Sequence, residues 1–350
     1  MIASDLKPCS RVGLDVTKRC NWKCKTCFYR HKKDFNTPYD ASLDSLLSQA
    51  RLGKEKGCDH VVLVGWGEPM LYPQIGELIQ KIFEMEMTSS IITNGSLPVT
   101  EYEKLYSAGL DHLHISVHGF GKTLESIAGT SSSLNQEKLL VWLHNNKKKW
   151  RSNTTLQKEN YKQLPEIASK CVNYSVSHFV MLGFLPHYEW SQDINKQKEV
   201  AVHPEELRRY IEAAADLLEK ENTQFTIRYH PLCHLSEKYW KYVVNALYVV
   251  YDPWEWCYNN IFPKSGYYEI QKNAFKIANN VAIQGNPCSQ CSVKIHCGAW
   301  NKVYANAFDG ANLKAIKTGE VSEENRKHLN EFGHFFKQNL ANSEKGFYLC

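Results

Sequence analysis

The sequence has no run of about 18 or more apolar residues, the length that a membrane-spanning helix needs. Its first residues, 1–8, have neither the apolar core of a secretion signal nor an Arg-rich amphipathic pattern. Long blocks of one charge are also missing, and the net charge of the 350 residues is only +5, so nucleic acid is not an expected partner. The one basic stretch that stands out, 147–151, has the charge to contact phosphate, but it is more typical of a solvated helix end. These absences predict a cytoplasmic protein that does not enter a membrane.

Cysteine, by contrast, is plentiful. The chain has 12 cysteines, and two groups of them have the short spacing of metal ligands. Because nothing in the sequence indicates export, metal binding under reducing conditions explains them better than disulfides do. The two groups are Cys20/Cys24/Cys27 and Cys288/Cys291/Cys297. Zinc is the competing interpretation for each trio, since structural zinc sites are also built from cysteines.

Short apolar runs alternate with helical patterns from Arg11 to about His230, which indicates repeated βα units around a parallel sheet. About six such units predict an α/β fold, a partial (β/α)6 TIM-like barrel, in residues 1–230. Residues 231–350 are richer in aromatic residues, Gly, Asn and Cys, and are expected to form a smaller C-terminal domain. The candidate strands of the barrel are 12–16, 60–65, 89–93, 112–117, 178–184 and 225–229.

The first trio, Cys20, Cys24 and Cys27, follows the first predicted strand on one short loop. Three thiolates can hold three corners of an iron–sulfur cube, whereas four cysteines normally hold all of them, so one iron is left open for a ligand. This loop resembles the signature of the radical S-adenosylmethionine (SAM) enzymes. The resemblance implies a [4Fe-4S] cluster whose open iron chelates the amino and carboxylate groups of SAM, and which donates the electron that breaks the carbon–sulfur bond.

Further motifs lie at the ends of the predicted strands, where ligands of parallel α/β sheets bind. Residues 65–69 (Gly-Trp-Gly-Glu-Pro) resemble the Gly-Gly-Glu-Pro motif of radical SAM proteins, which receives the ammonium group of SAM. The stretches 93–95, 114–119 and 181–185 resemble other SAM-binding segments of that family. The resemblance therefore implies a set of SAM contacts, namely Phe28, Gly65, Trp66, Gly67, Glu68, Pro69, Thr93, Asn94, Ser116, His118 and Leu182.

The chain departs from the family pattern at three of these places. Trp66 replaces a glycine, and His118 stands where aspartate is usual. Thr26 occupies the position before the last cysteine, where the family commonly has an aromatic residue. We therefore expect Phe28 or Tyr29 to contact the adenine instead.

The second trio, Cys288, Cys291 and Cys297, resembles the auxiliary-cluster region called SPASM, or its shorter twitch form, of radical SAM peptide maturases and sugar-modifying enzymes. Parts of the full SPASM pattern are missing, so the resemblance implies one auxiliary [4Fe-4S] cluster and not two. Its fourth ligand is left open between Cys257 and Cys350, with Cys257 preferred. A cluster with three cysteines and an open iron that binds substrate, as in molybdenum-cofactor cyclases, is the third alternative.

Cys233 is a separate candidate, because it follows the last predicted barrel strand. Relatives that invert a carbon centre place a hydrogen-donating thiol in this region, so Cys233 is predicted to be catalytic. The competing interpretation is an ordinary buried thiol.

The resemblance implies that a 5′-deoxyadenosyl radical abstracts hydrogen from an unactivated carbon, followed by oxidation or epimerisation, with the cofactor supplying the difficult chemistry. Only 19 residues precede Cys20, which favours a small polar substrate such as a sugar or nucleoside over a peptide recognised through a leader-binding domain. A ribosomal-peptide maturase or peptide epimerase is the alternative, and a methyltransferase of the same superfamily is another. A flavodoxin or ferredoxin is the expected reductant. A non-enzymatic iron–sulfur electron carrier would have no use for residues 65–69.

Overall fold

The structure is a computed structural model that describes residues 11–27, 39–55, 57–184, 194–245, 258–259, 282–283, 286–297, 300–301, 308, 312–327 and 329. In this part of the chain, no helix is both long and apolar enough to cross a membrane. Phe28, Tyr29, Cys257 and Cys350 lie outside the described residues, so the predictions made for them stay predictions.

Eight strands form one sheet, in the order β7-β6-β5-β4-β3-β2-β1-β8, and all neighbouring pairs are parallel. The α/β class and the partial barrel predicted from the sequence are confirmed. The strands are β1 (Arg11–Asp15), β2 (His60–Val64), β3 (Thr88–Thr93), β4 (His112–Ile115), β5 (Trp150–Leu156), β6 (His178–Gly183), β7 (Gln224–Arg228) and β8 (Tyr258–Asn259).

Helices connect the strands and cover one face of the sheet. Their apolar stripes pack on alternate strand residues, such as Leu14, Leu63 and Ile115, and form the main core. One helix shows how local sequence sets an end: its first residue is Pro204, whose missing N–H is not needed there. The helices are α1 (Leu43–Glu55), α2 (Ile75–Glu84), α3 (Val99–Ser107), α4 (Gly121–Ala128), α5 (Ser133–Asn145), α6 (Leu164–Asn173), α7 (Ile194–Val200) and α8 (Pro204–Lys220).

Strand β5 was not among the predicted strands, and its start corrects the interpretation of residues 147–151 as a solvated helix end. Helix α5 already ends at Asn145, and Trp150 and Arg151 belong to β5. Both side chains are buried, with 0% and 2% exposure. The lysines before them occupy the turn, where Lys147 has a positive φ of 51°.

The other face of the sheet lines the barrel interior, and towards the N-terminal ends of the strands it is polar. The rings of His60, His112 and His114 are stacked, with centroids 5.1 and 5.0 Å apart. His112 Nδ1 lies 2.6 Å from the Asp111 carboxylate, and its Nε2 lies 3.0 Å from His114 Nε2. Burial lowers the pKa of all three histidines, so they are neutral near pH 7.

The C-terminal part adds two short helices, α9 (Asn286–Ser289) and α10 (Lys294–Cys297). It also adds an antiparallel pair, β9 (Ala282–Ile283) and β10 (Trp300–Asn301). The short strand β8 comes from beyond the predicted domain boundary, yet it pairs with β1 at the edge of the barrel sheet. The boundary near residue 230 stays a prediction.

Candidate cluster and cofactor site

The loop that carries the first cysteine trio begins directly after β1 and is fixed at both ends. Thr17 Oγ1 donates a hydrogen bond to Asp40 Oδ1 at 2.6 Å, and Arg19 forms an ion pair with the same carboxylate at 2.5 Å. The backbone N–H of Lys18 donates to the carbonyl of Tyr39 at 2.9 Å. The entry and the exit of the loop therefore lie side by side.

The three cysteines of this loop are reduced and not in disulfides; Cys20 is exposed, and Cys24 and Cys27 are half-buried. Between them, Trp22 is buried against α4, where it packs on Leu124 and Ala128. Three reduced, accessible thiols on a loop held against the barrel are a donor set that fits an iron–sulfur cluster with one open corner.

The motif at 65–69 packs against this loop. Gly67 N–H donates to Thr17 O at 3.1 Å, and Glu68 N–H donates to Arg19 O at 2.6 Å. A Cβ atom at Gly67 would lie 2.0 Å from Arg19 O, and one at Gly65 would lie 2.8 Å from Thr17 O. Both glycines are needed because the loop backbone approaches so closely. Trp66 is half-buried beside the loop, with its ring 4.6 Å from Lys18 Nζ.

Glu68 connects the ends of β2 and β3. Its side chain is only 2% exposed. Oε1 accepts hydrogen bonds from Thr93 Oγ1 at 2.7 Å and from the backbone of Met70 at 3.1 Å, and Oε2 accepts from the backbone of Asn94 at 2.7 Å. Burial raises the pKa of Glu68 to about 7, although these hydrogen bonds oppose the rise. The structure therefore gives this carboxylate a positioning role, and its contact with the ammonium group of SAM stays a prediction.

A side-chain network ties the end of β3 to the cysteine loop. Asn94 Nδ2 donates to Asn21 Oδ1 at 2.9 Å, and Asn21 Nδ2 donates to Ser96 Oγ at 2.8 Å. Gln136, buried on α5, donates through Nε2 to the carbonyls of Asn94 at 2.7 Å and Ser116 at 3.1 Å. Asn94 and Ser116 are among the residues predicted from the sequence, whereas Asn21, Ser96 and Gln136 are not.

His118 follows the end of β4 and has a defined protonation state. Its Nδ1 accepts a hydrogen bond from the backbone N–H of Thr155 on β5 at 3.2 Å, so the ring proton is on Nε2. Burial lowers the pKa of His118 to about 4. The ring is therefore neutral at pH 7 and offers one N–H as a donor.

The remaining predicted residues lie on the same edge of the sheet. Pro69 begins the short turn after the glycine motif, and Leu182 lies at the half-buried end of β6. The structure thus brings the described SAM contacts together with the cysteine loop, at the carboxyl ends of parallel strands. Their contacts with SAM stay predictions.

The second cysteine trio lies near the exit of β7. Cys288, Cys291 and Cys297 line a small cavity that is partly open to solvent, and Cys233 lines the same cavity. Burial raises the pKa of the Cys233 thiol, and the nearby Cys288 and Cys291 raise it further. The predicted catalytic cysteine therefore lines the same cavity as the second trio.

Comparison with known proteins agrees with this geometry. The family model of the radical SAM superfamily matches residues 14–171. A tungsten-containing aldehyde ferredoxin oxidoreductase cofactor-modifying protein of Pyrococcus furiosus is 28% identical over 184 residues, 49% of this chain and 51% of that protein. An S-adenosylmethionine-dependent nucleotide dehydratase of Siniperca chuatsi is 28% identical over 159 residues, 43% of this chain and 44% of that protein. This chain thus spans about half the length of these curated relatives.

The fold is also similar to that of a solved structure. Streptococcus suis SuiB bound to its precursor peptide SuiA matches with a TM-score of 0.58 and 16% identity, over 90% of this chain and 76% of that one. At this identity the likeness concerns the fold alone. Residues 14–171, with the cysteine loop and the glycine motif on one edge of a parallel sheet, are therefore a radical SAM superfamily domain, which confirms the resemblance seen in the sequence.

Proposed function

We propose that this protein is an enzyme that cleaves SAM reductively at a [4Fe-4S] cluster held by Cys20, Cys24 and Cys27. The observation that carries the proposal is the contact of the cysteine loop with the glycine motif, where Gly67 leaves no room for a side chain between β2 and Arg19. When bound, the cluster and SAM supply a 5′-deoxyadenosyl radical that abstracts hydrogen from an unactivated carbon of the substrate.

The protein's own residues bind and orient the reactants. The network of Asn21, Asn94 and Ser96 holds the loop at a fixed distance from β3. Glu68 keeps the ends of β2 and β3 together, and the neutral His118 offers its Nε2–H to an acceptor on the cofactor. Preorganised groups of this kind align reactants without further reordering.

The preferred substrate is a small polar molecule that carries a carboxylate or phosphate. One arginine of the sheet, Arg228 at the carboxyl end of β7, is buried with 3% exposure. Buried guanidinium groups suit anions with two acceptor oxygens. A similar relative is named as a nucleotide dehydratase, which fits this class of substrate. A flavodoxin or ferredoxin is the proposed reductant.

A peptide is the second candidate substrate. Its support is the likeness in fold to SuiB in complex with a precursor peptide, which extends over 90% of this chain and so beyond the radical SAM domain. In that case the reaction is maturation of a ribosomal peptide, by oxidation or by epimerisation.

SAM cleavage is tested by anaerobic reconstitution, iron counting and detection of 5′-deoxyadenosine with SAM and dithionite. Cys24→Ala is expected to lose about four irons and all 5′-deoxyadenosine, because it removes a ligand of the cluster. Cys58→Ala is the matched control, since Cys58 is buried in the hydrophobic core, and it is expected to keep both. A fully iron-loaded protein that releases no 5′-deoxyadenosine would refute the proposal.

The substrate class is tested by adding nucleoside phosphates or short unstructured peptides to the same assay and measuring the rate of SAM cleavage. Substrates of the correct class are expected to stimulate it. Arg228→Met should remove stimulation by nucleoside phosphates, whereas Arg208→Met, on the exposed face of α8, should retain it. Stimulation by peptides alone would select the second candidate.

A further inference from the structure

The second cysteine trio lies in a site with four cysteines. Cys233, Cys288, Cys291 and Cys297 all line one cavity. They come from different segments: the short turn after β7, helix α9, the residues that follow it, and the end of helix α10. The fold thus brings Cys233 to a trio that is more than 50 residues away in sequence.

Backbone N–H groups point at the sulfurs of this site. Such hydrogen bonds stabilise thiolates and set the reduction potential of iron–sulfur clusters. The donors shown come from the turn after β7 and from residues 314–316. The pairs are Leu232 N to Cys297 Sγ at 3.4 Å, Ile316 N to Cys291 Sγ at 3.4 Å, and the Lys314 backbone to Cys233.

The site is also fixed to the barrel. Asn245 is buried, and its Oδ1 accepts a hydrogen bond from the backbone N–H of His230 at 3.2 Å. Its Nδ2 donates to the carbonyl of His230 at 3.0 Å and to the carbonyl of Cys297. The exit of β7 and the end of α10 are thereby held at one distance from each other.

The geometry favours a cluster over a single zinc ion. Zinc in a structural site draws four ligands to within about 2.3 Å of one point. In the part of the chain that the structure describes, no three His, Cys, Asp or Glu side chains are arranged to hold one metal ion. An iron–sulfur cube instead binds its cysteines at separate corners, so its four ligands do not converge on one point. Lys294 and Lys314 also line the cavity, and their positive charge offsets that of four thiolates.

We propose that Cys233, Cys288, Cys291 and Cys297 together hold the auxiliary iron–sulfur cluster, with Cys233 as its fourth ligand. This deepens the proposed function and rests on it only in that the protein binds clusters of this kind. Each thiol releases a proton to solvent when it binds iron as a thiolate. Neither Cys257 nor Cys350 is then needed as a ligand, and no corner of the cluster is open for substrate. Cys233 is not a hydrogen donor, because its sulfur is bound to iron.

The first test counts iron in a variant that cannot load the first site. Cys20, Cys24 and Cys27 are all replaced by alanine, and the protein is reconstituted anaerobically with iron and sulfide. We expect about four irons, and we expect Cys233→Ala in this background to lose them to a chelator faster than its parent does, because three cysteines leave one iron open. Cys171→Ala, which changes a buried thiol of α6 outside the cavity, is the control and should retain about four.

The second test does not depend on a variant that folds. Iodoacetamide is added to the reconstituted wild-type protein and to the same protein stripped of iron by a chelator, and alkylated cysteines are identified by mass spectrometry. Cys233 is expected to be protected together with Cys288, Cys291 and Cys297 only when iron is present. Alkylation of Cys233 that does not change with iron would overturn the proposal, as would a Cys233→Ala protein that keeps its iron against a chelator as long as its parent does.

The same experiments separate this proposal from the proposed function. Loss of iron in Cys257→Ala or Cys350→Ala, with none in Cys233→Ala, would assign the fourth ligand to those residues instead. A protein that protects Cys233 but does not cleave SAM with its first trio intact would refute the proposed function and leave the four-cysteine site standing.

Discussion

Gly67→Ala is expected to displace the cysteine loop. The new Cβ would lie 2.0 Å from Arg19 O and 2.5 Å from Arg19 C, whereas real Cβ atoms are essentially never closer than 3.0 Å to another atom. The loop must therefore move by at least 1.0 Å. Both clashing atoms belong to the backbone, so rotation of a side chain cannot relieve the contact.

The cost follows from the contacts that this movement breaks. Overpacking of this kind costs about 1–3 kcal/mol. The hydrogen bonds from Gly67 N to Thr17 O and from Glu68 N to Arg19 O contribute about 1 kcal/mol each. We expect the free energy of unfolding of the iron-free protein to fall by about 2–5 kcal/mol. A displacement of about 1 Å at a reacting site also lowers rates by roughly 100-fold, which is the expected loss in SAM cleavage.

The assay combines urea unfolding of the iron-free protein with iron counting and 5′-deoxyadenosine formation after reconstitution. Gly76→Ala is the matched control, because its Cβ would lie 3.9 Å from the nearest atom, Leu105 Cδ2, and alanine favours helix α2. The control should be unchanged or more stable by about 0.5–1 kcal/mol. A Gly67→Ala protein with wild-type stability, iron content and SAM cleavage would refute the packing of the loop on the glycine motif.

Three further results are expected. Glu68→Gln should lower the free energy of unfolding by about 1–3 kcal/mol in urea titrations. The reason is that the new amide N–H faces the backbone N–H of Asn94, which is also a donor. An unchanged urea midpoint would contradict the hydrogen bonds of Glu68. The pKa values of His60 and His114 lie well below 6.5 in the folded protein, so the unfolded chain binds more protons. The free energy of unfolding therefore falls as pH drops through 6.5, by about 1 kcal/mol for each of these two histidines between pH 6.5 and 5.5. The raised pKa of Glu68 acts in the opposite direction and offsets the effect of one histidine. A free energy of unfolding that rises between pH 6.5 and 5.5 would contradict the burial of the histidines. In the background that lacks the first trio, Asn245→Ala should reduce the iron bound beside Cys297, and full retention would show that this link is dispensable.

The sequence predicted those parts of the fold in which apolar residues alternate or run together. Strand β2 is one example, because all five of its residues are buried. It did not predict β5, whose residues 151–155 (Arg-Ser-Asn-Thr-Thr) are polar on both faces. Arg151 is buried in the sheet, and Thr154 satisfies its hydroxyl by donating to Val117 O at 2.8 Å. A polar barrel interior removes the alternation from which strands are recognised.

The candidate site was predictable where its residues are close in sequence. The spacing of Cys20, Cys24 and Cys27 and the motif at 65–69 are local patterns. The Asn21–Asn94 hydrogen bond joins residues 73 positions apart and leaves no such pattern. Cys233 has the same difficulty, because only the folded chain brings it to the second trio.

The contact between Thr17 and Asp40 joins residues 23 positions apart and closes the cysteine loop into a ring. Closing a flexible ring of that length costs about 3 kcal/mol of conformational entropy. Since this contact forms when the protein folds, that entropy is lost before iron arrives, unlike in small metal-dependent domains that fold only on binding. The first cluster can accordingly be removed and rebuilt in the folded protein, and repeated cycles of chelation and reconstitution should restore the same iron content.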